Sequence, residues 1–190
     1  NDMAGDISDS VLAGIGVSTK IMMFPFSIIL GFGSGFQPVA GFNWGARRYD
    51  RVKESYSFAS RVAVIGAVVL GGVIAWFADD IVILFAGSDP DMLKIGSLCI
   101  RLQCYALPIQ GWVMVVNMLS TGLGNATESL ILSTARQGTC MLPILFPLAH
   151  FFGEYGLASV QAAADLLSLI FAIPICIRVL RKIQRALSNS

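Results

Sequence analysis

Residues 31–46 read GFGSGFQPVAGFNWGA and run straight into the basic residues Arg47, Arg48, Arg51 and Lys53. Gly31, Gly33, Gly35 and Gly41 crowd the stretch, with Gln37, Pro38 and Asn43 among them. In a soluble helix each glycine costs about 1 kcal/mol relative to alanine. In a bilayer, small side chains let helices approach closely, and neighbouring helices accommodate prolines. The stretch therefore predicts the end of a membrane helix, unwinding at the cytoplasmic face ahead of a charged turn.

Composition points the same way. Of 190 residues, 55% are hydrophobic and 13% charged, with a mean hydropathy of +0.72. Soluble domains carry about 25% charged residues, so this chain cannot cover a water-exposed surface. It reads as an all-α, polytopic membrane helix bundle in a lipid bilayer. A net charge of +1 is too small to suggest nucleic acid as a partner. Cys99, Cys104, Cys140 and Cys176 lie in apolar runs, no CxxC occurs, and there is one histidine, so the cysteines read as packing residues rather than metal ligands. GxSxG and HExxH patterns are absent, and the glycines from Gly31 to Gly35 lack the lysine of a phosphate loop. Nothing here predicts an enzyme. Asp2, Asp6 and Asp9 precede the first apolar run with no basic leader, which reads as a piece cut from a longer protein.

Five apolar runs follow, at about 11–39, 57–77, 93–123, 130–152 and 157–179. About 20 residues cross a hydrocarbon core, so each run is a predicted span. Pro25 and Pro174 predict kinks, residues 81–85 (IVILF) an interfacial turn or the lip of a span, and residues 153–156 (GEYG) a tight turn. The N-terminus and the junctions at 79–91 and 153–156 carry no lysine or arginine, whereas 47–53 and 178–185 carry eight. The positive-inside rule then puts both basic segments, and the C-terminus, in the cytoplasm.

Polar groups at membrane depth are the functional candidates. Lys20, Ser27 and Ser34 recur every seven residues, either as the wall of an aqueous cavity or with Lys20 snorkelling to the outer interface. Gln103, Gln110 and Asn117 repeat the same spacing on the third run, where amides can bind a substrate or hold helices together. Arg101, Tyr105, Pro108 and Trp112 form a second stripe there. Arg101 is deep enough to predict a buried, paired or functional group. Arg136 and His150 share a stripe of the fourth run, and Arg136 is near enough to its end to snorkel. Asp165 on the fifth run either binds a cation or proton, or pairs with Lys20, Arg101 or Arg136.

The run Gln37-Pro38-Val-Ala-Gly41-Phe-Asn43-Trp-Gly45-Ala46 resembles the C-terminal lobe of the multidrug and toxic compound extrusion (MATE) transporters. Gly122-Leu-Gly124, Ser133-x-x-Arg136-Gln137 with Pro143, and Ala164-Asp165 add to the resemblance, in order, across about residues 6–182. It implies helices eight to twelve of a twelve-helix protein, with a missing N-terminal lobe as partner. It further implies a multi-pass protein of the bacterial plasma (inner) membrane that exports small organic cations or amphipathic drugs, with no cofactor beyond a coupling Na+ or H+. Substrate would meet Lys20, Arg101, Gln110, Trp112 and Asn117. Asp165 and Arg136 would serve as coupling groups or as a structural ion pair. A lipid-linked saccharide flippase of the same broad fold, or a non-transporting membrane scaffold, are the alternatives.

The topology is open to a direct check. Cysteines introduced as Arg47→Cys and Arg185→Cys in the full-length protein should react with an impermeant thiol reagent from one and the same face. Labelling from opposite faces rules the topology out.

Overall fold

Helix α4 (Pro90–Gly122) is the axis of the bundle. Packed around it are α1 (Asp9–Gly45), α2 (Tyr49–Trp76), α3 (Ala78–Ala86), α5 (Ala126–Thr134) and α6 (Met141–Ser188). The structure, a computed structural model, describes residues 9–86, 90–134 and 141–188. Among these, every regular element is a helix. In the most apolar window of α4, 56% of residues are buried within the bundle, against 22% in α1 and 28% in α2. The peripheral helices thus leave most of their apolar surface outside, where lipid or a further protein surface must meet it.

Four described helices are long and apolar enough to cross a bilayer: Ala13–Gly45, Tyr49–Trp76, Met92–Gly122 and Ser159–Ser188. The predicted run at 130–152 falls on α5, on residues 135–140 outside the described set, and on the start of α6. Residues 81–85 belong to the short helix α3, which packs Val82 against α4.

Two local expectations are corrected. The glycine-rich stretch does not unwind: α1 stays helical past Pro25 and Pro38 to Gly45. Unwinding would strand backbone groups in hydrocarbon, where water cannot satisfy them. The helix closes instead in a Schellman motif, with the Arg48 N–H donating to the Asn43 carbonyl (2.9 Å) and the Arg47 N–H to that of Trp44 (3.1 Å). Arg47 takes the left-handed conformation this requires, at φ 57°. The GEYG turn is also absent, because the backbone remains helical through residues 153–156 within α6. Two glycines cost about 2 kcal/mol of helix propensity, offset by the hydrogen bond each residue gains in propagating a helix already formed.

The glycines serve close packing. Near the basic end, a Cβ on Gly122 would stand 2.7 Å from the Gln37 carbonyl oxygen, and one on Gly41 would stand 2.9 Å from the Gly122 oxygen. Helices α1 and α4 therefore cross backbone to backbone. Around this crossing lies a core of Phe36, Ala40, Val52, Val116, Leu119 and Val179, drawn from four helices.

The basic segments meet at one end. The Lys182 Nζ lies 5.4 Å from the centroid of the Trp44 ring and donates to Asn125 Oδ1 at 2.5 Å. The Trp44 and Tyr49 rings sit 4.9 Å apart across the α1–α2 turn. Arg47 and Arg48 thus share an end with the C-terminal turns of α6.

Gly122→Ala should lower the unfolding temperature of the full-length protein, with a stability loss of about 1–3 kcal/mol from forced backbone movement. Gly45→Ala, where nothing lies within 4 Å, should cost nothing. Equal losses at the two positions would contradict the close crossing.

Candidate functional site

The amide stripe of α4 points at two different helices. The Gln110 amide nitrogen reaches the Asp165 carboxylate of α6, at 3.4 Å from Oδ1 and 3.5 Å from Oδ2. Asp165 is 3% exposed, and the Ser168 hydroxyl one turn on donates to its backbone carbonyl at 2.7 Å. Two turns along α4, Asn117 Nδ2 donates to Ser133 Oγ of α5 (3.0 Å), while its Oδ1 accepts from Ser129 (2.7 Å). The Thr121 and Ser129 hydroxyls meet at 2.6 Å. These amides join helices, and Asn117 also lines a cavity.

That cavity, of about 240 Å³, lies between Phe26 and Leu30 of α1, Met114, Asn117 and Met118 of α4, and Leu132 and Ser133 of α5. Its wall is mostly apolar, with Met114 and Met118 contributing sulfur and Asn117 and Ser133 as polar fixtures. Unbranched, polarisable methionines adapt to ligands of varied shape.

The other named residues do not converge there. Lys20, Ser27 and Ser34 do share a face of α1, but it is the exposed face. Arg101 is paired but not buried as expected: it donates to Asp79 at 2.8 Å, with the two side chains 46% and 53% exposed. The physical reason is its register, which turns it toward α3 at the acidic end and away from Asp165. Trp112 packs against the four-helix core, beside Tyr56, whose hydroxyl contacts the Cys176 sulfur at 3.1 Å. Arg136 lies outside the described residues. Of the motif residues, Gln37 and Gly41 form the α1–α4 crossing. Asn43 Nδ2 donates to the Val39 carbonyl (2.8 Å), Pro38 is accommodated inside α1, and Gly45 is its last residue.

Some contributors were not singled out from sequence. Ser18 is fully buried, its hydroxyl 2.7 Å from the Gly14 carbonyl oxygen and 2.9 Å from that of Gly96 on α4. Its stripe of Gly14, Ser18, Met22, Pro25, Ile29, Gly33, Phe36 and Ala40 is the face α1 buries. Spacings of three and four along that set were the available signal. Thr121 and Ser129 had none beyond helical spacing from Asn117 and Ser133.

A double-mutant cycle with Gln110→Leu and Asp165→Leu should return a coupling energy of about 0.5–2 kcal/mol in thermal unfolding. A value of zero would remove the α4–α6 contact from the site.

Comparison with known proteins bears on both fold and site. The family model MatE matches residues 1–147. The chain is 28% identical over 149 residues to the multidrug export protein MepA of Staphylococcus haemolyticus, covering 76% of this chain and 31% of that protein. It is 23% identical over 182 residues to Protein DETOXIFICATION 6 of Arabidopsis thaliana, covering 92% and 29%. The chain thus spans about a third of the length of these relatives. Among solved structures, the Vibrio cholerae MATE transporter VcmN in its bent form superposes with a TM-score of 0.85 at 19% identity, over 97% of this chain and 42% of that one. With the family model matching well over half of its residues and the helical arrangement in agreement, the chain belongs to the MatE family.

Proposed function

We propose that this chain forms most of one lobe, the C-terminal one, of a secondary exporter that exchanges organic cations or amphipathic drugs for Na+ or H+ across a bacterial inner membrane. The observation that carries this reading is Asp165, a carboxylate 3% exposed within a membrane-spanning helix and facing an amide of the central helix. Ionisable groups at that depth are expensive and mark ion or substrate pathways. Binding a proton or a cation removes the charge of Asp165, which changes what α4 and α6 gain by packing together. The name of MepA supports a multidrug substrate class.

The cavity beside Asn117, at about 240 Å³, falls below the 300–1,000 Å³ typical of drug-sized sites. In this reading the rest of the site comes from a second lobe, with the exposed α1 face of Lys20, Ser27 and Ser34 turned toward it. The basic end, with Arg47 and Arg185, faces the cytoplasm, as the positive-inside rule requires. A lipid-linked saccharide flippase would want a basic cavity, but Arg101 is committed to Asp79, which favours the drug-export reading.

The test uses the full-length protein in membrane vesicles, with ethidium efflux driven by an imposed pH or sodium gradient. Asp165→Asn should lower the initial efflux rate by roughly a hundredfold, the low end of the range for a positioned proton-transfer group, with protein level unchanged. Undiminished gradient-driven efflux in Asp165→Asn refutes the coupling role. Movement of an anionic lipid-linked saccharide with no ethidium efflux refutes the drug-export assignment.

A further inference from the structure

Arg61 lies on the exposed face of α2, inside a predicted membrane span. Among the described residues, no carboxylate or hydrogen-bond partner meets its guanidinium. Its depth follows from helix geometry. Trp76, 83% exposed, marks the far interface. From there Arg61 is about 22 Å back along the axis at 1.5 Å per residue. A hydrocarbon core of about 30 Å leaves the Arg61 backbone about 8 Å inside the near boundary, within reach of a snorkelling arginine.

Two features make this more than a snorkelling residue. Lys53, Ser57 and Arg61 recur every fourth position, and Asp50, Glu54 and Phe58 form the adjoining row. Together they line a shallow groove of about 480 Å³. The groove holds two bases and two acids. A purely anionic headgroup would be repelled by Asp50 and Glu54, and a purely cationic one by Lys53 and Arg61. Continuing from Phe58 (65% exposed) toward the far interface, Ile65 and Val69 are 62% and 61% exposed, on one apolar stripe. The surface therefore joins a zwitterionic groove at headgroup level to a hydrocarbon track below it.

We propose that this face of α2 binds a phospholipid whose headgroup carries both a phosphate and a primary ammonium. The phosphate is held by Arg61, and the ammonium by Glu54 and Asp50, both nearer the water than Arg61. One acyl chain lies along Phe58, Ile65 and Val69. The depths match, because the base meant for phosphate is the deepest of the four charges and Asp50 the shallowest. This site is separate from the Asp165 and Asn117 region and does not depend on the transport reading.

The experiment measures the unfolding temperature of the delipidated full-length protein in detergent, with phosphatidylethanolamine, phosphatidylcholine or phosphatidylglycerol of matched acyl chains. Phosphatidylethanolamine should raise the midpoint by roughly 5 °C, as for a ligand well above its dissociation constant, and clearly more than the other two. Arg61→Gln and, separately, Glu54→Gln should reduce that shift to the phosphatidylcholine level, while Arg61→Lys retains most of it. Equal shifts from all three lipids, or an undiminished phosphatidylethanolamine shift in both neutralised variants, overturns the proposal. A preference for phosphatidylglycerol would show a generic anionic-lipid surface, and a lipid-independent loss in Arg61→Gln would show a protein partner; either also overturns it.

Discussion

The close approach of α1 and α4 at Gly41 and Gly122 is the contact on which the arrangement rests. Lipid chains are as apolar as leucine, so burying leucine against leucine gains little in a membrane. What drives helices together there is backbone-to-backbone proximity and hydrogen bonding between polar side chains. This bundle uses both. Glycines bring α4 against α1 at both ends, near Gly14 and Gly96 as well as at Gly41 and Gly122. Ser18, Gln110 and Asn117 then tie α4 to α1, α6 and α5 in turn. One central helix thereby reads the position of every other.

This organisation has a functional corollary. Asp165 meets α4 at Gln110, and the cavity meets α4 at Asn117, two turns away on the same stripe. In the proposed exporter, a change of charge at one and of occupancy at the other would act on a single helix. Coupling between sites needs such a shared element whose arrangement both can bias. The basic end is held differently, by Lys182 against Trp44 and Asn125, which clasps the α1–α2 and α4–α5 turns to the end of α6.

How much was legible beforehand varied with the kind of question. Four of the predicted apolar runs lie on long described helices, because span length and hydropathy are local quantities. The charge asymmetry between junctions anticipated that Arg47 and Arg185 share an end. The GFGSGFQP stretch was misread as unwound, since glycines needed for close packing and glycines needed for a break look identical in sequence. Depth along the span reads Arg101 as buried and paired, whereas its rotation about α4 leaves it half exposed against Asp79. Lys20, Ser27 and Ser34 were correctly placed on one face, but that face turns away from the bundle.

The quoted motifs carried the family resemblance, while composition and periodicity alone settled the solvent, the helical class and which residues share a stripe. These follow from transfer energies and from 3.6 residues per turn, both properties of a short segment. Which stripe each helix buries, and what each polar group meets there, was decided only in three dimensions. Ser18 rather than Ser27 faces α4, and Gln110 rather than Arg101 faces Asp165, because helix rotation is set by the best simultaneous fit to several neighbours, a quantity no single segment contains.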